Sequence, residues 1–293
     1  MYEIAKKLII LPLKIERVLQ VGNCMMTKYI KKAVVLVTII VASHSISAQT
    51  MEVGLFGGGS YYLGELNTAL HFSETQLAFG LLARFNLNSR WAIKAGYNRG
   101  LIKSDDSKNA AIADQGLNFQ TTLNDITAVA EFNFLEYFTG SKKNYFTPYI
   151  FGGIGFFTFN PQSYDGIDLQ PLGTEGQNVN FEGRQPYNKW GISIPFGFGV
   201  KYSLSDRFGL GVEWGMRKTF TDYLDDVSTS YYLSGSDIDP NNTAQALSDP
   251  NGNHEPYMQR GDDTKWDWFN FFGVSLTYKI NLRSRLKCNL EGW

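Results

Sequence analysis

The sequence predicts an all-β protein, an eight-stranded antiparallel transmembrane β-barrel with an N-terminal signal peptide. Two observations support this prediction: most apolar segments after position 50 have a period of two residues, and the connections between them alternate between short and long. Successive side chains of a strand point to opposite sides of the sheet, so each segment presents one apolar face and one mixed face. Apolar faces this rich in aromatic residues are typical of strands that contact lipid.

Segment 76–87 illustrates the alternation. Its apolar face carries Leu77, Phe79, Leu81, Ala83, Phe85 and Leu87, whereas its other face carries Gln76, Ala78, Gly80, Leu82, Arg84 and Asn86. The same period recurs at 91–98, 126–134, 192–202 and 208–217. One face of each segment therefore meets an apolar medium, and the other meets water or a tightly filled interior.

Eight strands are predicted, at 51–62, 76–87, 90–101, 122–134, 145–158, 189–203, 207–219 and 266–280. Most have ten or more residues, which is enough to cross a bilayer at a tilt, since that takes roughly 9–11 residues. Turns of two residues at 88–89 and 205–206 and a moderate link at 135–144 alternate with long polar connections near 63–75, 102–121, 159–188 and 220–265. Outer-membrane barrels have short periplasmic turns and long outer loops, so we expect an OmpA/OmpX-like barrel with both termini in the periplasm.

The N-terminal region predicts export. Lysines between positions 28 and 32 precede the apolar run 33–42 and a small-residue ending, which is the order of a signal peptide over 26–48. Residues 1–25 then form an extension that we expect to be mis-annotated, and the barrel occupies 49–280. A retained anchor is the alternative, but the apolar run is shorter than the roughly 20 residues of a spanning helix.

Composition narrows the function. Cys24 weakly resembles a lipoprotein cysteine but lacks the preceding apolar region, and Cys288 is the one cysteine after the signal, so no internal disulfide is predicted. A formal net charge of −1 argues against nucleic acid as a partner. The 29 glycines and 21 phenylalanines fit a barrel, because its spanning segments are only half apolar. A large soluble all-β domain is the alternative.

The mixed faces predict what fills the barrel. Eight strands enclose an interior just wide enough to be filled by side chains, and charges buried there must pair. Acids and bases are equal in number at the inward positions, so we expect a closed ionic core, with a selective pore as the alternative. These positions are Glu52, Arg84, Lys94, Asp125, Glu131, Lys201, Glu213 and Arg217.

No catalytic, cofactor or metal site and no small-molecule substrate are predicted. His71 and His254 lie in different loops, and no metalloprotease, nucleophile-elbow or phosphate-loop motif is present, although an enzyme at the barrel rim stays possible. The last long loop is acidic and lacks the residue order of a calcium loop, so a solvated loop is preferred over calcium binding. Its acids are Asp222, Asp225, Asp226, Asp237, Asp239, Asp249, Asp262 and Asp263.

Residues 215–228 read Gly-Met-Arg-Lys-Thr-Phe-Thr-Asp-Tyr-Leu-Asp-Asp-Val-Ser. This run resembles PorG-like proteins, barrel components of the type IX secretion system of Bacteroidota. The glycine-rich opening 52–66, the ending 276–280 and the basic tail are also similar to that family. The most specific positions are Thr221, Asp222, Tyr223, Leu224, Asp225 and Asp226. The resemblance implies a non-enzymatic barrel that associates at its periplasmic face with a ring of PorK/PorN-like subunits.

We therefore expect a lipid-embedded outer-membrane subunit of a protein-secretion machine. Its short turns and the basic tail 281–293 would contact the periplasmic ring, although a frayed, solvated tail explains the same composition. Alternatives are a generic structural or adhesion barrel and a rim enzyme. The candidate partner contacts are Arg90, Lys142, Lys143, Arg207, Arg283, Arg285 and Lys287.

Overall fold

A computed structural model describes residues 50–68, 70–108 and 115–281. In these residues eight antiparallel strands close into one barrel, because each strand pairs with its neighbours in sequence and β1 also pairs with β8. The strands are β1 (Thr50–Leu63), β2 (Gln76–Asn86), β3 (Trp91–Asp105), β4 (Asn118–Asn133), β5 (Phe146–Gln162), β6 (Trp190–Ser203), β7 (Phe208–Thr219) and β8 (Trp268–Asn281). The predicted fold class is confirmed. The signal peptide, the extension before it and the tail after Asn281 lie outside the described residues.

The outer surface of the barrel is apolar. On β2, Leu77, Phe79 and Leu81 are exposed, whereas the alternate residues Ala78 and Arg84 are buried. The predicted alternation is therefore confirmed on this strand. The other strands expose aliphatic and aromatic side chains in the same way, among them Leu55, Ile93, Ile126, Ile154, Ile192, Phe198, Val212 and Val274.

Aromatic side chains mark both ends of the apolar belt. Near the short turns, Trp91 packs on Phe132 with ring centroids 5.0 Å apart, and Phe208 packs on Tyr278 at 5.4 Å. Near the long loops, Phe220 packs on Trp266 at 5.0 Å. Such girdles are typical of barrels whose aromatic rings lie at membrane–water interfaces. Among the described residues no helix has the length and apolarity needed to cross a membrane.

The two tight turns share one geometry. At 87–90 the Asn88 side chain accepts hydrogen bonds from the backbone N–H groups of Arg90 and Trp91, both at 2.8 Å. At 204–207 the Ser205 hydroxyl accepts one from the N–H of Phe208 at 3.2 Å. A short polar side chain that bonds nearby backbone favours a tight turn. The two turns lie at the same end of the barrel, called the short-turn end below.

Three strands extend further from the short-turn end than the sequence predicts. The sequence predicts that β3 ends at 101, that β4 begins at 122 and that β5 ends at 158. In the structure β3 continues to Asp105, β4 starts at Asn118 and β5 continues to Gln162. The added residues keep the alternation, since Ile102 and Ser104 are buried and Lys103 between them is half-buried. Their outward side chains are polar, which is why the sequence predicts loops at these positions.

The long loops at the opposite end fold into a compact cap. They contain the helix α1 (Thr243–Ser248) and several 3₁₀ turns. Leu66, Leu117, Leu169 and Leu224 come from four different loops and join one buried cluster with side chains of the upper barrel. The connections are long, as the sequence predicts, and leucines scattered among their polar residues supply a small hydrophobic core.

Candidate functional site

The interior of the barrel holds the predicted ionic core. Glu131 lies at its centre and contacts three bases: Arg84 Nε at 2.7 Å, Lys201 Nζ at 2.5 Å and Lys94 Nζ at 3.5 Å. Arg84 also binds Glu52 at 2.8 Å. These bases come from β2, β3 and β6 and the acid from β4, so the contacts cross the lumen.

The remaining inward charges pair as well. Lys94 Nζ lies 2.6 Å from Glu213, and Arg217 Nε lies 3.2 Å from Asp125. All eight inward positions predicted from the alternation are therefore ion-paired inside the barrel. Two aromatic side chains of β5 fill space between them: Lys201 lies over the Tyr149 ring at 4.3 Å and Lys94 over Phe151 at 4.8 Å. Paired charges and rings across the lumen favour a filled scaffold over a pore.

The connection 134–145 folds over the short-turn end. The Thr139 hydroxyl donates to Glu52 at 2.7 Å, and the Gly140 N–H donates to Ser203 at 2.7 Å. The N–H of Tyr137 donates to the carbonyl of Ser89 at 3.1 Å, and Lys279 donates to the carbonyl of Thr139. These bonds join the connection to both tight turns and to β8, so it covers this end of the lumen.

Four of the candidate partner contacts are exposed at the short-turn end. Arg90 donates to the carbonyl of Phe134, and Arg207 donates to the Tyr278 hydroxyl at 2.9 Å. Lys142 and Lys143 lie exposed at the tip of the 134–145 connection. The exposed acids of the same connections are Glu136 and Asp206. The described part of this end therefore has a basic surplus; Arg283, Arg285 and Lys287 lie outside the described residues.

The 221–226 segment is the structural centre of the cap. Leu224 is fully buried in the hydrophobic cluster, and its carbonyl accepts a hydrogen bond from Thr121 of β4 at 2.6 Å. The Tyr223 ring stacks on Tyr187 of the 163–189 loop with centroids 4.4 Å apart. Asp226, in the left-handed conformation, accepts from the Tyr187 hydroxyl at 2.6 Å. The segment thus ties the last loop to β4 and to the loop after β5.

A buried arginine organises the same region. Arg260 donates to Glu175 at 3.0 Å, to the carbonyl of Asp226 at 2.6 Å and to the carbonyl of Ser248 at 3.2 Å. Glu175, itself buried, also accepts from the backbone N–H groups of Ser228 and Thr229. Additional hydrogen bonds on both partners offset the cost of burying this ion pair.

The acidic loop is largely buried, contrary to the solvated loop that the sequence favoured. Asp222, Asp225, Asp226 and Asp249 are 6% exposed or less, and only Asp237, Asp239 and Asp263 are exposed, with Asp262 half-buried. The error has a physical reason. Asp225 and Asp226 point into the cap because the intervening turn places Leu224 and Val227 in the hydrophobic cluster.

Three carboxylates from separated chain segments meet at the base of this loop. Glu65 follows β1, Asp225 lies near the start of the last long loop, and Asp267 ends that loop; one oxygen of each lies within 4.8 Å of the other two. The Tyr62 hydroxyl lies 2.6 Å from Asp225 Oδ2 and 2.7 Å from Asp267 Oδ1. We call this group, with Asp222 beside Glu65, the carboxylate cluster.

The acidity of the cluster is strongly suppressed. Burial, reinforced by repulsion from Glu65, raises the pKa of Asp222 to about 10 and holds the pKa of Asp225 well above its usual range. Burial and the nearby Asp225 carboxylate do the same to the pKa of Asp267. Beside the cluster, burial raises the pKa of Asp226 to about 6 against the opposing effect of Arg260. A group of carboxylates this close either retains protons or binds a cation.

The two histidines occupy different environments. His71 is exposed and accepts or donates a hydrogen bond with the Tyr61 hydroxyl at 3.1 Å, beside the rings of Phe72 and Trp214. His254 Nδ1 lies 2.9 Å from Asp249, and its ring stacks on Tyr231 at 4.2 Å. In the part of the chain that the structure describes, these contacts do not bring either imidazole against a serine, threonine or cysteine nucleophile.

One protein-family model matches most of this chain. The model described as "Domain of unknown function (DUF6089)" matches residues 31–234, more than half of the 293 residues. The chain belongs to the DUF6089 family. The match spans β1 to β7 of the DUF6089 chain together with its 221–226 segment. Comparison with curated proteins gives no match.

Solved structures of small barrels are similar to the DUF6089 chain at low identity. Ail, the attachment invasion locus protein of Yersinia pestis, has a TM-score of 0.39 and 10% identity, with 79% of this chain and 98% of Ail covered. Neisserial surface protein A gives 0.39 and 11%, covering 78% and 97%. OprG of Pseudomonas aeruginosa gives 0.36 and 12%, covering 80% and 97%. The barrel assignment rests on the chain's own strand pairing.

The sequence alone does not predict the cap or the carboxylate cluster. Glu65 and Asp267 are separated from Asp225 by long stretches of chain, so no local spacing joins them. Gly64 gives one signal in retrospect: a Cβ built on it would lie 2.0 Å from the Tyr62 hydroxyl and 2.1 Å from Asp267 Oδ1. Because a glycine next to a run of strand residues is common, this signal has meaning only once the fold is known.

Proposed function

We propose that the protein is a non-enzymatic outer-membrane barrel that serves as a subunit of a protein-secretion machine of the type IX kind. The observation that carries the proposal is the combination of a lipid-type exterior with a lumen closed by paired charges. A water-soluble protein rarely exposes so large an apolar surface, which therefore favours insertion in a bilayer. A filled lumen favours a role in anchoring partners rather than in conduction.

The short-turn end is the face that we assign to the periplasm and to the partner. Its basic surplus, from Arg90, Lys142, Lys143 and Arg207, suits an acidic protein surface, because complementary charge steers association and fixes orientation. The resemblance of residues 215–228 to PorG-like proteins supports a PorK/PorN-like ring as that surface. The cap would then face the outside of the cell.

Orientation is tested with single cysteines in a Cys288→Ser background. We expect a membrane-impermeant maleimide to label Asp239→Cys of the cap on intact cells. It should label Lys142→Cys only after the outer membrane is opened. The opposite labelling pattern would show that the short-turn end lies outside the cell, and it would contradict a periplasmic contact there.

Partner binding is tested by charge reversal. Lys142→Glu combined with Lys143→Glu should reduce co-purification of the PorK/PorN-like ring at least ten-fold, while the barrel stays folded. Lys189→Glu with Lys265→Glu makes the same charge change on exposed residues of the cap and should leave recovery unchanged. Equal recovery with both pairs, or no ring with the unaltered protein, would contradict the proposed contact.

A further inference from the structure

The carboxylate cluster carries an inference that is independent of any secretion partner. Asp225 and Asp267 are buried, and Glu65 is half-buried. Among the described ion pairs, no base is paired with Asp222, Asp225 or Asp267; the buried Arg260 is paired with Glu175 instead. Four carboxylates thus converge where little solvent reaches them.

The fourth carboxylate, that of Asp222, is buried beside the other three. It is 6% exposed, and neither of its carboxylate oxygens accepts a hydrogen bond of ordinary geometry in the described structure. Its carboxylate instead lies against that of Glu65 and close to those of Asp225 and Asp267. The Ser228 side chain lowers the pKa of Asp222, but burial and the repulsion from Glu65 outweigh it. A buried carboxylate that faces other carboxylates is costly, so this arrangement favours a positive charge or a proton between them.

The Tyr62 hydroxyl cannot satisfy the cluster. It lies within 2.7 Å of oxygens of both Asp225 and Asp267, yet a phenol has one proton to donate. At least one of these short oxygen–oxygen contacts therefore lacks a bridging proton from tyrosine. The second oxygens of the two aspartates are held by backbone N–H groups, of Val227 at 2.9 Å and of Leu224 at 2.9 Å. Both carboxylates are thereby fixed in orientation.

The spacing fits one metal ion. Two oxygens that each lie about 2.4 Å from a Ca²⁺ ion are at most about 4.8 Å apart. The cluster's three oxygens lie within 4.8 Å of one another. The donor set consists only of oxygens, which hard cations such as Ca²⁺ prefer over nitrogen- or sulfur-seeking metals. Gly64 keeps the space beside the cluster free, because a Cβ there would lie 2.1 Å from Asp267 Oδ1.

We propose that Glu65, Asp225 and Asp267, with Asp222 beside them, form a binding site for a divalent cation, best suited to Ca²⁺. The ion would join the end of β1 to both ends of the last long loop. It would therefore hold the base of the cap together, where Asp267 accepts a hydrogen bond from the backbone N–H of Leu224, a member of the hydrophobic cluster. The calcium loop motif is absent because the ligands come from three segments rather than from one.

The direct test is binding of the metal to the full-length mature protein in detergent micelles after treatment with EDTA. Calorimetry with CaCl₂ should give one saturable site with a Kd of about 1 mM or lower, the range of extracellular calcium modules. Absence of saturable binding up to 10 mM CaCl₂ would overturn the proposal, since the carboxyls then hold protons instead.

Variants assign the site. Asp267→Asn and Asp225→Asn should each weaken Ca²⁺ binding at least ten-fold. Asp263→Asn changes an exposed acid of the same loop and should leave binding within two-fold. Wild-type affinity in both cluster variants, or equal weakening by Asp263→Asn, would overturn the assignment.

A second measurement distinguishes loss of binding from loss of folding. Ca²⁺ should protect the 220–267 loop of the wild type from protease at least ten-fold relative to EDTA. The Asp225→Asn, Asp267→Asn double variant should be insensitive to Ca²⁺ yet at least as resistant in EDTA as the wild type, because a buried amide needs neither a proton nor a cation to neutralise it. A wild type that is equally resistant with and without Ca²⁺ would contradict the proposal that a bound cation stabilises the base of the cap.

Discussion

At the scale of the residue, Glu131 is the acid that contacts the most bases in the interior of the barrel. It is fully buried and accepts from Arg84 and Lys201 while lying 3.5 Å from Lys94. Arg84 also pairs with Glu52 and Lys94 with Glu213, whereas Lys201 pairs with Glu131 alone among the described ion pairs. Removing one partner of a buried ion network leaves the remaining charges uncompensated, which is more damaging than replacing the whole network.

Glu131→Gln should therefore destabilise the folded barrel by about 3–5 kcal/mol. Urea unfolding in lipid vesicles, followed by tryptophan fluorescence, measures this change. Glu136→Gln neutralises an exposed acid of the short-turn end and should stay within about 0.5 kcal/mol of the wild type. Equal stability of the two variants would mean that the lumen is hydrated enough to screen its charges.

At the scale of the element, the tight turns depend on one polar side chain each. Asn88→Ala removes the acceptor of two backbone N–H groups, those of Arg90 and Trp91. We expect a loss of about 1–2 kcal/mol in unfolding free energy, since each net hydrogen bond contributes about 0.5–1.5 kcal/mol. Asn88→Asp keeps an acceptor oxygen and should recover most of this loss; failure to do so would assign the effect to the amide group itself.

The cap provides an element-scale prediction on pH. The raised pKa values of Asp222, to about 10, and of Asp226, to about 6, mean that the folded cap holds protons that the unfolded chain releases above about pH 4. The contribution of these groups to stability is complete below that value. It is lost as the pH rises: up to about pH 6 for Asp226, and up to about pH 10 for Asp222.

In EDTA, protection of the 220–267 loop should therefore decrease between pH 5 and pH 8. Mass spectrometry of amide exchange, corrected for the intrinsic exchange rate, measures it. Asp222→Asn should flatten the decrease, whereas Asp263→Asn should not. Protection that rises with pH in EDTA would show that these carboxyls are ionised and otherwise compensated in the folded cap.

The sequence predicts the elements of this fold better than it predicts their ends. An alternation such as Leu77, Phe79 and Leu81 against Ala78 and Arg84 depends only on strand geometry, so it identifies the strands and the lumen charges correctly. The ends of β3, β4 and β5 that lie farthest from the short-turn end extend beyond the apolar belt. Their outward side chains are polar, so the apolar–polar alternation cannot be recognised there. The cap escapes prediction because Glu65, Asp225 and Asp267 meet through long-range folding rather than through spacing.

At the scale of the whole molecule, the lumen is obstructed at three levels. The connection 134–145 covers the short-turn end, the ion pairs around Glu131 cross the middle, and the cap covers the other end. Barrels of 16–18 strands leave an aqueous channel, but eight strands leave room only for side chains. The middle level is the decisive one, because it is built from strand residues that cannot move aside like a loop.

Two proteins test this order of obstruction in planar lipid bilayers: the wild type, and a variant in which a short Gly-Ser turn replaces residues 223–266. Both should show no stepwise conductance above that of the lipid, because the ion pairs of Arg84, Lys94 and Lys201 with Glu131 remain in either protein. Heat-dependent migration in detergent gels verifies that each barrel is folded. Conductance steps in the shortened protein alone would show that the cap, rather than the ion pairs, blocks the lumen. Steps in the wild type would show that the protein is a pore and not a closed scaffold.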